Sequence, residues 1–216
     1  MPGSSTKQKI LDASIRLFNE NGMANVRLQQ IASSIGISPG NLAYHFRNKK
    51  AIIAAINEDL IREAEEILSA YRVYPNLLDF DQQLSRYFAF IQKYPFYFLD
   101  ILEIKRNYPE IGYEAHLRVI STMVTQIRER FVFNQKRGLI REEPRTGIYS
   151  NIADTIWNLI AFWGPQHLVK NPNSAEDTQH FKEVIWNQFY PYFTPKGIAE
   201  YEQLILPLLM EQSVLQ

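Results

Sequence analysis

Along the whole chain, apolar residues return every three to four positions in stretches of helical length, and prolines cut between those stretches. Pro75, Pro95, Pro109, Pro144, Pro172 and Pro195 set off segments at about 77–93, 96–106, 110–137, 145–168, 175–192 and 196–211. A proline bounds a helix because it lacks the backbone donor and crowds the turn before it. No series of alternating apolar and polar runs joined by hairpin turns occurs. The stretch "YPFYF" (94–98) is aromatic enough for a strand but stands alone. The expected fold class is therefore all-α.

The first third of the chain is more specific. Residues 6–21 place Ile10, Ala13 and Leu17 at the helical period, with Leu11, Ser14 and Phe18 beside them, and Gly22 closes the helix. A short helix from about Val26 to Ile35 follows, with Leu28, Ile31, Ala32 and Ile35 on one face, and Gly36 stops it. Ser38 is placed to cap the next helix, and Pro39 takes its first position, where a missing N–H costs nothing. Within that helix Leu42 and Phe46, four apart, face inward, so Asn41, Tyr44 and His45 share the outward side. Two helices joined by a short glycine-containing turn form a helix-turn-helix, whose second member lies in the DNA major groove.

A long amphipathic helix from about Lys49 to Tyr71 comes next, capped by Asn48 and apolar through Ile52, Ile56, Leu60, Ala64 and Ile67. Lys49 and Lys50 stand in its first turn, where the helix dipole disfavours cations by about 0.3–1 kcal/mol each. A phosphate docked on that N-terminus would compensate, with Arg27 and Arg47 adding contacts at the same edge. The charge distribution agrees. The chain is formally neutral, yet residues 1–50 hold seven basic side chains against two acidic ones, and the excess is reversed in the rest. There is no cysteine, no apolar core of a signal peptide in "MPGSSTKQKI", and no stretch near the roughly 18 apolar residues of a membrane span. A cytoplasmic location is expected.

The stretch from Lys9 to Ile56, with "ILDASIRLFNENG" and "IASSIGISPGNLAYHFRNKKAI", resembles the DNA-binding domain of the tetracycline-repressor (TetR) family of bacterial transcription regulators. The resemblance implies that Ser38, Pro39, Gly40 and Asn41 approach DNA at the start of the recognition helix. It further implies that Tyr44 and His45 lie on its exposed face, and that Lys49 is the phosphate-binding lysine. Two positions depart from the family's pattern. Arg27 replaces the usual threonine at the start of the second helix, and Ala43 replaces the tyrosine that usually follows the recognition-helix leucine. An arginine can bind phosphate but cannot cap a helix.

The resemblance implies an organisation into residues 1–48 as a helix-turn-helix domain and 49–216 as a helical effector-binding and dimerisation domain. In the latter, Tyr87, Phe88, Ile91, Phe98, Leu102, Tyr113, His116 and Trp157 are the candidate lining of a small-molecule pocket, because aromatic area with hydroxyls on broken helices suits a flat or acyl-like ligand. Ile152, Ile156, Ile160 and Trp163 form one apolar stripe, and Phe181, Ile185 and Phe189 a second. Two such helices pair with their copies as a four-helix bundle across a two-fold axis. A homodimer on an inverted repeat is thus expected, acting as a repressor released by a ligand.

Catalysis is not expected. The four histidines are scattered, no His-Glu-x-x-His helix or phosphate-cradling glycine loop occurs, and "EDTQH", with Asp177 and His180, lacks the paired sites of a di-iron bundle. No metal or cofactor is called for. The alternative reading is a helical small-molecule binder whose DNA head has become vestigial through Arg27 and Ala43.

Overall fold

The computed structural model describes residues 5–70, 75–111, 113–170 and 177–210, and among these no β-strand occurs; Ile140 and Phe193 form one isolated bridge. Twelve α-helices follow in order: α1 (Thr6–Asn21), α2 (Leu28–Ser34), α3 (Pro39–His45), α4 (Lys49–Ser69), α5 (Leu77–Lys93), α6 (Pro95–Leu99), α7 (Ile101–Asn107), α8 (Tyr113–Lys136), α9 (Ile148–Lys170), α10 (Thr178–Phe189), α11 (Pro195–Leu204) and α12 (Leu206–Met210). The expected end of α4 at Tyr71 lies outside the described residues. The segment expected as one helix over 96–106 is two, broken at Asp100, and "YPFYF" is helical rather than extended.

The helices fall into two compact units. One comprises residues 1–63 and 93–117, the other 64–92 and 118–216. The segment 93–117, read from sequence as part of the body, belongs with the N-terminal helices.

In the first unit the apolar faces of α1 to α4 close over Ile10, Phe18, Ile31, Leu42, Ile52 and Ile56, all nearly or fully buried. The Phe96 ring of α6 meets Phe18 edge-on at 5.3 Å. The Asn19 side chain grips the start of α6 from both sides, donating to the Lys93 carbonyl at 3.1 Å and accepting from the Phe96 N–H at 3.1 Å. His116 packs against the Tyr97 ring, and burial lowers its pKa from the ordinary 6.5. Below about pH 6.5 the unfolded chain takes up this proton before the folded one does, so stability contributed by neutral His116 is lost as pH falls. Urea unfolding at pH 7.5 and 5.5 is expected to show a smaller acid loss in His116→Gln than in wild type.

The second unit is built on stacked rings and a buried polar network. Phe131 lies between Tyr149 and Phe189, with centroids 4.5 and 4.3 Å away. Arg130, 1% exposed, donates to Asp79 at 2.7 Å and Gln83 at 2.6 Å. Asp81 accepts from Lys182 at 2.7 Å and from the Trp186 indole at 3.1 Å. The loop after α8 is pinned to the start of α11: the Thr194 N–H donates to the Leu139 carbonyl at 2.9 Å and its hydroxyl to the Gly138 carbonyl at 2.7 Å. Pro165 sits buried inside α9, which continues to Lys170. No helix of the described residues is long and apolar enough to cross a membrane.

Candidate nucleic-acid interface

The local chemistry of "ISPGNLAYHF" does what its residues dictate. Gly36 adopts φ +69°, the left-handed conformation that a side chain disfavours, and turns the chain out of α2. The Ser38 hydroxyl accepts from the Asn41 N–H at 3.1 Å, and Pro39 opens α3. Leu42 and Phe46 are buried and hold α3 against α2. That leaves Ser38, Pro39, Gly40, Asn41 and Ala43 exposed, with the Tyr44 ring 86% exposed. His45 is half-buried and supports Tyr44 edge-on at 5.2 Å. Apart from that edge-on contact the Tyr44 ring is held out in water on a seven-residue helix.

Gly40 is not required by the fold. An added Cβ there would meet only the Ser38 hydroxyl at 3.9 Å, an ordinary contact, and its φ is not in the left-handed range. A helical glycine that the protein itself does not need leaves its backbone open to something outside.

Arg27 precedes α2 and its guanidinium cannot accept a hydrogen bond; Gln30 caps instead, its side chain accepting from the Arg27 N–H at 2.6 Å. The arginine side chain is left exposed, as is that of Arg47. Sequence reasoning missed Gln30, although a glutamine three residues into a helix is the usual partner in a capping box.

Lys49 and Lys50 have partners within the protomer. The Lys49 ammonium donates to the Met23 carbonyl and, at 3.3 Å, to that of Ala24; burial lowers its pKa, against the raising fields of Glu103 and Asp100. Lys50 pairs with Glu110. The unfavourable placement of two cations at the α4 N-terminus is thus compensated inside the protomer, by carbonyls and a carboxylate far away in sequence. The Asn48 cap is as expected, accepting from the Ala51 N–H at 2.9 Å.

The expected body residues divide. Tyr87, Phe88, Ile91 and Trp157 lie in the second unit, and Phe98, Leu102, Tyr113 and His116 in the first. Phe88 is committed to the core beside Phe181, with centroids 5.2 Å apart, Leu102 is 61% exposed, and the Tyr113 hydroxyl accepts from Lys105 at 2.9 Å. Of the expected dimer stripes, Ile156, Ile160, Phe181, Ile185 and Phe189 are 0–1% exposed within one protomer. Ile152 and Trp163 are half-buried. The outward side of α9 and α10 instead carries a groove of about 650 Å³ lined by Leu159, Phe162, Trp163, His167, His180 and Val184 among others. Phe162 is 54% exposed, and the buried Trp163 indole N–H has no acceptor among the described residues. Asp177, read beside His180 as a carboxylate–histidine pair, caps α10 by accepting from the Gln179 and His180 N–H groups.

A buried-backed recognition helix, an exposed polar and aromatic face, and a separate helical body define a helix-turn-helix regulator. Residues 10–56 match the family described as "Bacterial regulatory proteins, tetR family", and residues 61–201 match "Bacterial transcriptional repressor". The chain belongs to the TetR family of transcriptional regulators. It is similar to the HTH-type transcriptional regulator RutR of Escherichia coli K12, 28% identical over 198 residues, 89% of this chain and 77% of that protein. Its likeness to the regulator UidR of the same organism is 37% over 67 residues, and the chain spans about a third of that protein's length. A TetR-family regulator from Marinobacter aquaeolei VT8 superposes with a TM-score of 0.81 at 27% identity, covering 96% of this chain and 98% of that one.

Proposed function

We propose that this chain is a dimeric repressor that reads an inverted-repeat DNA operator and releases it when a small molecule occupies its helical body. The observation that carries the reading is the α3 face: Asn41 and Tyr44 project into solvent from a helix whose other side is locked to α2, and the Tyr44 ring meets just the edge-on His45 among the described rings. Asn41 suits an adenine edge and Tyr44 a thymine methyl or a phosphate, while the exposed Arg27 and Arg47 take the backbone contacts first expected of Lys49 and Lys50. A helix this short covers only a few base pairs, so useful specificity needs two copies about 34 Å apart.

The second copy is proposed to seat on the outward groove of α9 and α10, centred on Phe162, where a partner would also supply the acceptor that the Trp163 indole lacks. Enrichment of duplexes from a random pool tests the whole reading. A palindromic motif is expected, and failure to enrich any duplex overturns it. Phe162→Asp is expected to give a monomer by sedimentation and to weaken binding to the enriched duplex by tenfold or more, about 1.4 kcal/mol. Gly40→Ala separates fold from function. It is expected to raise stability to urea by roughly 0.5–1 kcal/mol while lowering DNA affinity, because the Cβ intrudes where a phosphate or base would approach.

The effector is expected in the body, where α5 supplies Tyr87, whose hydroxyl is buried and its pKa raised by that burial. Titration of candidate ligands against the protein–duplex complex checks this part. Operator affinity is expected to fall only for a ligand that prefers the released state.

A further inference from the structure

The turn between α1 and α2 is held at one residue by two opposed side chains, through the peptide unit on either side of its Cα. The Met23 side chain is 1% exposed, its N–H donates to the Asp100 carboxylate at 3.0 Å, and its carbonyl accepts from the Lys49 ammonium. Four residues later comes Arg27, where α2 begins. Asp100 stands at the break between α6 and α7 and does not cap α7, so its carboxylate is free of any helix-ending duty. The break itself is steadied on α1 through Asn19 and through Phe96 against Phe18.

We infer that Asp100 is a positioning residue for DNA binding: by holding the Met23 amide it sets the height at which the α1–α2 turn delivers Arg27 and the start of α2 to the phosphate backbone. This rests on the regulator reading above. The chemistry is specific. A carboxylate accepting a buried N–H is a charge-assisted bond, stronger than a neutral one and directional. Without it the turn keeps the Lys49 grip on the Met23–Ala24 peptide and loses the grip on the Gly22–Met23 peptide, which is then free to rotate about its flanking φ and ψ. Asp100 itself makes no contact with DNA in this arrangement; it acts through the turn.

The test uses the full-length chain and a duplex enriched from a random pool by the wild type. Asp100→Ala is expected to bind that duplex roughly tenfold more weakly. It is also expected to flatten the slope of log K against log salt by about 0.9, the loss of one phosphate contact. Asp100→Asn keeps an oxygen acceptor for the Met23 amide and is expected to restore affinity to within about twofold of wild type. Exchange of the Met23 amide with deuterium is expected to quicken in the alanine variant alone. Should Asp100→Ala not fold, Asp100→Ser carries the same test. Wild-type affinity and slope in the alanine or serine variant overturn the inference and leave the regulator reading intact. An affinity loss with an unchanged salt slope and no rescue by asparagine marks a merely structural role and also overturns it. If the wild type enriches no duplex at all, the regulator reading falls and takes this one with it.

Discussion

Gly197→Ala is expected to lower the midpoint of thermal unfolding by about 6–12 °C, corresponding to roughly 3 kcal/mol in a chain of this size. A Cβ on Gly197 would lie 2.0 Å from the Leu139 carbonyl oxygen and 2.9 Å from its carbon. Both are backbone atoms, so no rotamer change relieves the clash. The loop cannot simply retreat, because Thr194 holds the same carbonyl and the Arg141 N–H donates to the Tyr192 carbonyl at 2.9 Å. Circular dichroism melts check this, and a midpoint within about 2 °C of wild type contradicts it.

Lys182→Met is expected to cost about 3–5 kcal/mol, because it leaves the Asp81 carboxylate, 2% exposed as a residue, with the Trp186 indole and no cation. Replacing both partners, with Asp81→Leu added, is expected to recover most of the loss, since two similar-sized apolar groups need neither solvation nor pairing. Urea unfolding of the two single variants and the double gives the coupling directly. Additive losses would show that the pair does not act as a unit.

The DNA-reading head was legible because its signals are short-range. Ser38 caps three residues on, Asn48 does the same for α4, and Gly36 needs only its own φ. The compensation of Lys49 was not legible, since the carbonyl that satisfies it belongs to Met23, 26 residues earlier. Nor was the orientation of α9. That helix is apolar on more than one side, so its periodicity offers two stripes, through Ile156 and Ile160 or through Leu159 and Phe162, and only packing decides which one the core takes. The Arg130–Asp79–Gln83 network was invisible for a related reason: charged residues read as surface until a tertiary partner is known.

The grouping of residues 93–117 with the N-terminal helices has a practical corollary for anyone wishing to borrow this reader. Cutting the chain after α3 or α4 would strip Phe18 of its aromatic cover and leave the Met23 amide and the Asn19 carboxamide facing water. A chimera that grafts these specificities onto another sensor must therefore carry a mid-chain insert along with the N-terminal helices, or redesign the surface that the insert protects.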